Sequence, residues 1–255
     1  MKKLSLLVSL ILTFSFLAVS CAPVQQVDKT KEAEAHYMLG ISYLKEQNFT
    51  HALKEFLTAE EFDARRLDIQ EGIALAYQLK QAYPEAEKYY LKALKIDPKE
   101  PRIASNLATL YLDMREWDKA IRYFEEASNN ILFDQPEKAL LGIGFAHFKK
   151  QDYQKAKLYY EKALEKKWNF APAYFRLGEL FLAQDKVTLA QQNFEKAIDL
   201  NPNYVTAYFQ LALTQMKAKD FNKARESFRK VILLTPESEI AVRAGELMKV
   251  LPENE

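Results

Sequence analysis

Alanine returns along this chain at Ala52, Ala86, Ala120, Ala156, Ala190 and Ala224, at intervals of 34, 34, 36, 34 and 34 residues. One globular core does not impose a fixed period on its chain. A period of this length means that each unit is a small supersecondary module that buries its apolar face only against its neighbours. The expected fold is therefore an all-α solenoid, which offers function as a surface. Glycine, at 6 of 255 residues against an average usage of about 7%, leaves little room for long loops and none for a Gly-rich phosphate cradle.

Setting each alanine at position 20 of its unit aligns the other marked positions. Position 7 is Leu39, Ile73, Leu107, Ile143, Leu177 and Leu211, and position 8 is Gly40, Ala74, Ala108, Gly144, Gly178 and Ala212. Small residues there let two helices approach closely. Position 24 is always aromatic, as Phe56, Tyr90, Phe124, Tyr160, Phe194 and Phe228, and position 27 is Ala59, Ala93, Ala127, Ala163, Ala197 and Val231. Pro98, Pro202 and Pro236 stand at position 32, where a ring without an N–H stops the second helix. Only Tyr174 and Tyr208 are aromatic at position 4, with His36, Gln70, Ala104 and Leu140 elsewhere, which leaves the first helix starts undefined.

These residues resemble the tetratricopeptide repeat family. The resemblance implies a right-handed α-solenoid of six helix pairs over 33–236, with units 33–66, 67–100, 101–134, 137–170, 171–204 and 205–238. Helix-period apolar spacing continues through Ile240, Val242, Leu247 and Val250, so residues 237–255 are expected to form a capping helix and tail.

Residues 1–20 read as a secretory leader: Lys2 and Lys3, then an apolar run from Leu4 to Val19. That run falls short of the roughly 20 residues needed to span a bilayer as a helix. Leu17-Ala18-Val19-Ser20-Cys21 resembles a bacterial lipobox, which implies that Cys21 is diacylated and becomes the first residue of the mature chain. Cys21 is the only cysteine, so it has no disulfide or metal partner, and more than one acyl chain gives stable anchoring. By resemblance to lipoproteins of double-membraned bacteria, Ala22 after the Cys implies the outer membrane, on its periplasmic face. Residues 21–32 are expected to be a short polar tether without helical periodicity, reaching roughly 35 Å when stretched.

The residues that could carry chemistry do not converge. His36, His51 and His147 fall at positions 4, 19 and 11 of different units, without the three- or four-residue spacing of a ligand pair. No metal or cofactor is expected. Pairs such as Glu60/Glu61 and Glu161/Lys162 read as solvated helix faces, and no nucleophile elbow, Walker or dinucleotide fingerprint is present. Without Lys2 and Lys3 the mature chain has 34 basic residues against 35 acidic ones, so no basic footprint for nucleic acid. The expected protein is not an enzyme and takes no small-molecule substrate.

In this repeat family the concave wall is built from positions 2, 5, 9 and 12 of each first helix, which share one face. The resemblance therefore places a partner-binding groove at Leu141, Phe145, Phe148, Phe175, Leu182, Phe209, Leu213 and Met216. The first three units offer Tyr37, Ile41, Leu44, Leu75 and Leu112 there, diluted by Glu34, Asp68, Glu71, Arg102, Ser105 and Thr109. If the superhelix leaves half of the later eight open, the patch is on the order of 400 Å², a size that marks an interaction site; tight curling would cover it instead. Positions 5 and 9 lack the Lys and Asn residues of the chaperone-type carboxylate clamp, so the expected ligand is an apolar or amphipathic peptide.

The 36-residue interval falls at Ala127-Ser128-Asn129-Asn130-Ile131-Leu132-Phe133-Asp134-Gln135-Pro136. The segment from Pro101 to Ala108, with Tyr111, Leu112 and Tyr123 to Ser128 and this longer turn, resembles the pilotins of type IV pili, the PilF/PilW/Tgl family. That resemblance implies an outer-membrane lipoprotein whose partner is a secretin subunit, which it helps to assemble. A general periplasmic scaffold that recruits proteases or cell-wall enzymes fits the same residues.

Overall fold

The computed structural model describes residues 28–252, and among them it contains thirteen helices and no strand. The leader 1–20 and Cys21 lie outside the described residues. The helices run in antiparallel pairs: α1 (Lys29–Lys45) with α2 (Phe49–Phe62), α3 (Leu67–Leu79) with α4 (Tyr83–Ile96), α5 (Pro101–Asp113) with α6 (Trp117–Ser128), α7 (Pro136–Lys149) with α8 (Tyr153–Lys166), α9 (Ala171–Ala183) with α10 (Val187–Leu200), and α11 (Val205–Lys217) with α12 (Phe221–Leu234). A last helix, α13 (Glu239–Lys249), closes the stack against α12.

The repeat positions are the core. All six position-20 alanines are fully buried, as are Ala59, Ala93, Ala127, Ala163, Ala197 and Val231 at position 27. The position-24 rings are buried between them, each worth about 1.5–3 kcal/mol in apolar burial. Their fit is tight enough to select the residue opposite: a Cβ added to Gly40, Gly144 or Gly178 would stand 2.5 Å from Phe56, Tyr160 or Phe194. Position 7 is buried in the later units, yet Leu39 is 48% exposed, because among the described residues no helix packs on that side of α1.

Every turn inside a pair is the same. The helix ends on a left-handed residue, at Gln47, Gln81, Arg115, Gln151, Asp185 and Lys219, with φ between 58° and 62° and none of them glycine. The next N–H then reaches back five residues, as Glu116 N–H does to the Tyr111 carbonyl (2.8 Å) and Asp152 N–H to that of His147 (2.9 Å), a Schellman closure. Asn48, Asp152 and Asp220 cap the following helix by side chain, whereas Ala82, Glu116 and Lys186 do not.

The two ends of the stack differ in detail from expectation. The first helix starts at Lys29 rather than 33, because Asp28 accepts from the Lys31 N–H and caps it, so the polar stretch assigned to a tether is helical from residue 29. Of the apolar residues expected on the capping helix, Ile240 and Leu247 pack against the last core cluster beside buried Ala241 and Ala244, while Val242 and the C-terminal cap Val250 are exposed.

The extra residues between the third and fourth pairs also act on the helices themselves. α6 has 12 residues where α2, α4, α8, α10 and α12 have 14, and α7 starts on Pro136, so 129–135 forms a turn of seven residues where four join the other pairs. Asn129 caps the end of α6, and Asn130 holds the turn that follows: its side chain accepts from Leu132 N–H (2.9 Å) and donates to the Lys99 carbonyl of the preceding turn (2.9 Å). Ile131 and Leu132 are left almost fully exposed, and Phe133 folds back against the core.

Candidate functional site

A cavity of about 640 Å³ lies along the furrow between α5 and α7, beside the lengthened turn. Its floor is Phe124, whose ring sits where a side chain on Gly142 would be: a Cβ there would come within 2.4 Å of Cε2. Leu112 and Ser105, Asn106 and Thr109 line the α5 wall, Leu141 and Phe145 the α7 wall, and Phe133 and Gln135 of the turn line it as well. Arg115, Lys138, Lys149 and Arg176 reach the same space, with Asp113 as its one carboxylate. The volume lies in the range of small-ligand and peptide side-chain sites.

The eight groove residues named from the sequence separate into three groups. Phe175 and Phe209, at 7% and 6% exposure, belong to the core and not to a groove. A position-5 ring turns inward onto the position-24 ring of its own unit: Tyr37 lies 5.8 Å from Phe56, Phe175 5.7 Å from Phe194, and Phe209 5.7 Å from Phe228. Phe175 is also 5.1 Å from Tyr204. Phe148, Leu182, Leu213 and Met216 are half-buried and pack onto the hydrophobic clusters of their own units. Only Leu141 and Phe145 face the cavity. Phe145 has two cations over its ring, the Arg176 guanidinium 4.4 Å from the centroid and the Lys149 ammonium 5.1 Å; Phe148, Phe175 and Phe209 each have one, at 5.8, 5.7 and 5.5 Å.

Charge is distributed unevenly along the inner wall. In the first units Arg66 pairs with Glu34 (2.5 Å) and Asp68 (2.8 Å), and the hydrogen bonds it donates, to Asp68 first and then Glu34, raise its pKa further despite partial burial. Arg102 pairs with Glu71, which also accepts from Asn106 Nδ2 (2.7 Å), and Gln78 donates to Asp113 (2.7 Å). At the cavity, Arg176 pairs with Glu179 (2.7 Å), but among the described residues Arg115, Lys138 and Lys149 have no carboxylate within 4.0 Å. Sequence reading missed these cations and Phe133 as a group. The available signal was position 2, which runs Glu34, Asp68, Arg102, Lys138 and so is basic in the two units that flank the break.

The histidines make separate local contacts. His36 Nδ1 lies 2.6 Å from Glu55, His51 Nδ1 2.9 Å from Asn48, and His147 stacks on Tyr159 at 5.6 Å. Burial holds the His147 pKa below its ordinary value, against the pull of Asp152. Among the described residues no group of His, Cys, Asp or Glu could hold a metal, and no helix is long and apolar enough to cross a membrane.

Models of the tetratricopeptide repeat match residues 65–132, 99–167 and 181–245. None of the curated proteins matches the chain in sequence. Among solved structures, PilW, a widely conserved type IV pilus biogenesis factor, superposes with a TM-score of 0.73 at 19% identity over 83% of this chain and 97% of its own. Pseudomonas aeruginosa PilF gives 0.68 at 19% identity over 86% and 99%. The APC/C hetero-tetramer Cut9–Hcn1 gives 0.69 at 19% identity over 90% of this chain but 44% of the other. At these identities the likeness establishes a shared fold.

Proposed function

Because the chain belongs to the tetratricopeptide repeat family, we propose that it is a non-catalytic binding protein, a pilotin-like assembly factor that holds a secretin subunit at the outer membrane of a type IV pilus system. The observation that carries the reading is the joint between the third and fourth pairs. A solenoid of identical steps has no preferred place to bind, whereas beside the insertion before α7 lies a cavity where inner-wall Leu141 and Phe145 meet residues of the turn. Support also comes from PilF and PilW, whose chains are matched over almost their whole length, unlike Cut9–Hcn1.

In this reading Cys21 carries the acyl chains and the six residues before Asp28 let the solenoid work close to the membrane surface. Capture of a partner segment then needs no chemistry from the protein, only a preformed apolar and charged cleft that lowers the ordering cost of binding. Deleting the gene and probing for heat-stable secretin multimers tests the function; unchanged multimers at the outer membrane would sink it. Cys21→Ala is expected to release a folded protein from the membrane fraction, and retention there would mean that lipidation is not the anchor.

A further inference from the structure

We propose that the cavity between α5 and α7 takes an extended internal peptide segment in which acidic side chains alternate with aromatic or large apolar ones. This rests on the reading above that the joint binds protein, and it adds the chemistry of what is bound. Elsewhere on the inner wall the charges already neutralise one another, through Arg66 with Glu34 and Asp68 and through Arg102 with Glu71. At the cavity Arg115, Lys138 and Lys149 are left over, and the single carboxylate, Asp113, is already engaged by Gln78. A purely apolar segment would strip water from these cations without replacing it, a basic one would be repelled, and a carboxylate-bearing one meets donors already in place.

The spacing sets the pattern. Lys138 stands in the first turn of α7 and Lys149 in its last, eleven residues or about 16 Å apart at 1.5 Å per residue. An extended segment rises about 3.3 Å per residue and puts alternate side chains on one face. Carboxylates roughly four to six positions apart on that face therefore reach both ends, while an apolar side chain on the opposite face enters between Phe133 and Phe145. The cations sit at separate ends and not in one cluster, which suits side-chain carboxylates of an internal segment over a single chain terminus. The near-neutral balance of the whole chain favours a peptide over a nucleic acid.

The test uses the full-length protein in detergent and fluorescence anisotropy with end-capped peptides that share alternating Phe and Leu and differ only in the intervening residues, Asp, Ser or Lys. The Asp peptide is expected to bind about tenfold tighter than the Ser peptide at low salt, as two solvent-accessible ion pairs allow, and the Lys peptide not at all. Raising the salt should erase the difference. The double variant Lys138→Glu with Lys149→Glu, both exposed and outside the core, should lose the Asp preference and gain the Lys peptide, while Lys219→Glu on the last pair changes neither. Equal binding of Asp and Ser peptides, an unaffected double variant, or tighter binding of a single-stranded oligonucleotide would each overturn the assignment. In cells the two readings separate. If Phe145→Asp abolishes secretin multimers while the double lysine variant keeps them, the acidic-segment assignment fails and the function stands; if neither matters, both fail.

Discussion

Replacing Arg115 by Gly is expected to stabilise the fold and weaken binding at the same time. Arg115 holds φ at 61°, between Met114 and a Glu116 N–H bonded to the Tyr111 carbonyl, a conformation that costs a side-chain-bearing residue about 1–2 kcal/mol. Glycine adopts it freely but loses roughly 0.5–1 kcal/mol more backbone freedom on folding, leaving a net gain of about 0.5–1 kcal/mol. At about 2–4 °C per kcal/mol for a domain of this size, the melting temperature should rise by about 1–4 °C. The same substitution removes a cation from the cavity, where one solvent-accessible ion pair is worth roughly 0.2–1 kcal/mol, or a loss of up to about fivefold in affinity. Gln151→Gly is the control, with φ of 62° in the next pair and no place in the cavity lining. It should give the same rise in calorimetry and no change in anisotropy with the Asp peptide. A fall in melting temperature in both variants would refute the left-handed turn, and unaltered peptide affinity in Arg115→Gly would remove Arg115 from the site.

Phe175→Ala should cost about 3–5 kcal/mol in urea unfolding and Phe145→Ala only about 1–2 kcal/mol with loss of partner binding; similar costs would mean that the two rings do not differ in burial as described. Because burial depresses the His147 pKa, the neutral ring is the folded form, so its stability is complete above the ordinary value of about 6.5 and is lost as pH falls through the lowered folded value. The groups facing it are Asp152, Lys155, Lys150 and Glu125, and His147→Phe should flatten that part of the pH profile in thermal melts; an unchanged slope would assign it to another group. Lys186→Asp supplies the side-chain cap that Asp152 and Asp220 give their helices, and should add about 1 kcal/mol to the unfolding free energy; no gain would show that the Lys186 turn cannot form it.

The solenoid was legible because its signal is redundant. Position 20 admits only a residue without side chain beyond Cβ, and position 8 only one that clears the ring at position 24, so the same constraint is written once per unit. The groove was less so. Positions 2, 5, 9 and 12 share a helical stripe, but a stripe has edges, and Phe175 and Phe209 lie on the edge that turns toward Phe194 and Phe228. The cavity cations were not legible as a set. Arg115 reads as a turn residue, Lys138 and Lys149 as solvated helix ends and Arg176 as half of a pair with Glu179; they meet in one space only through the packing of α5, α7 and α9.

The most direct measurement of the central claim is site-specific photo-crosslinking in cells, with the reactive side chain placed at Phe145 inside the cavity or at Leu233, which is 72% exposed on α12. An adduct with the secretin subunit is expected from Phe145 and none from Leu233. Equal yields at the two positions, or no secretin adduct from Phe145, would contradict it.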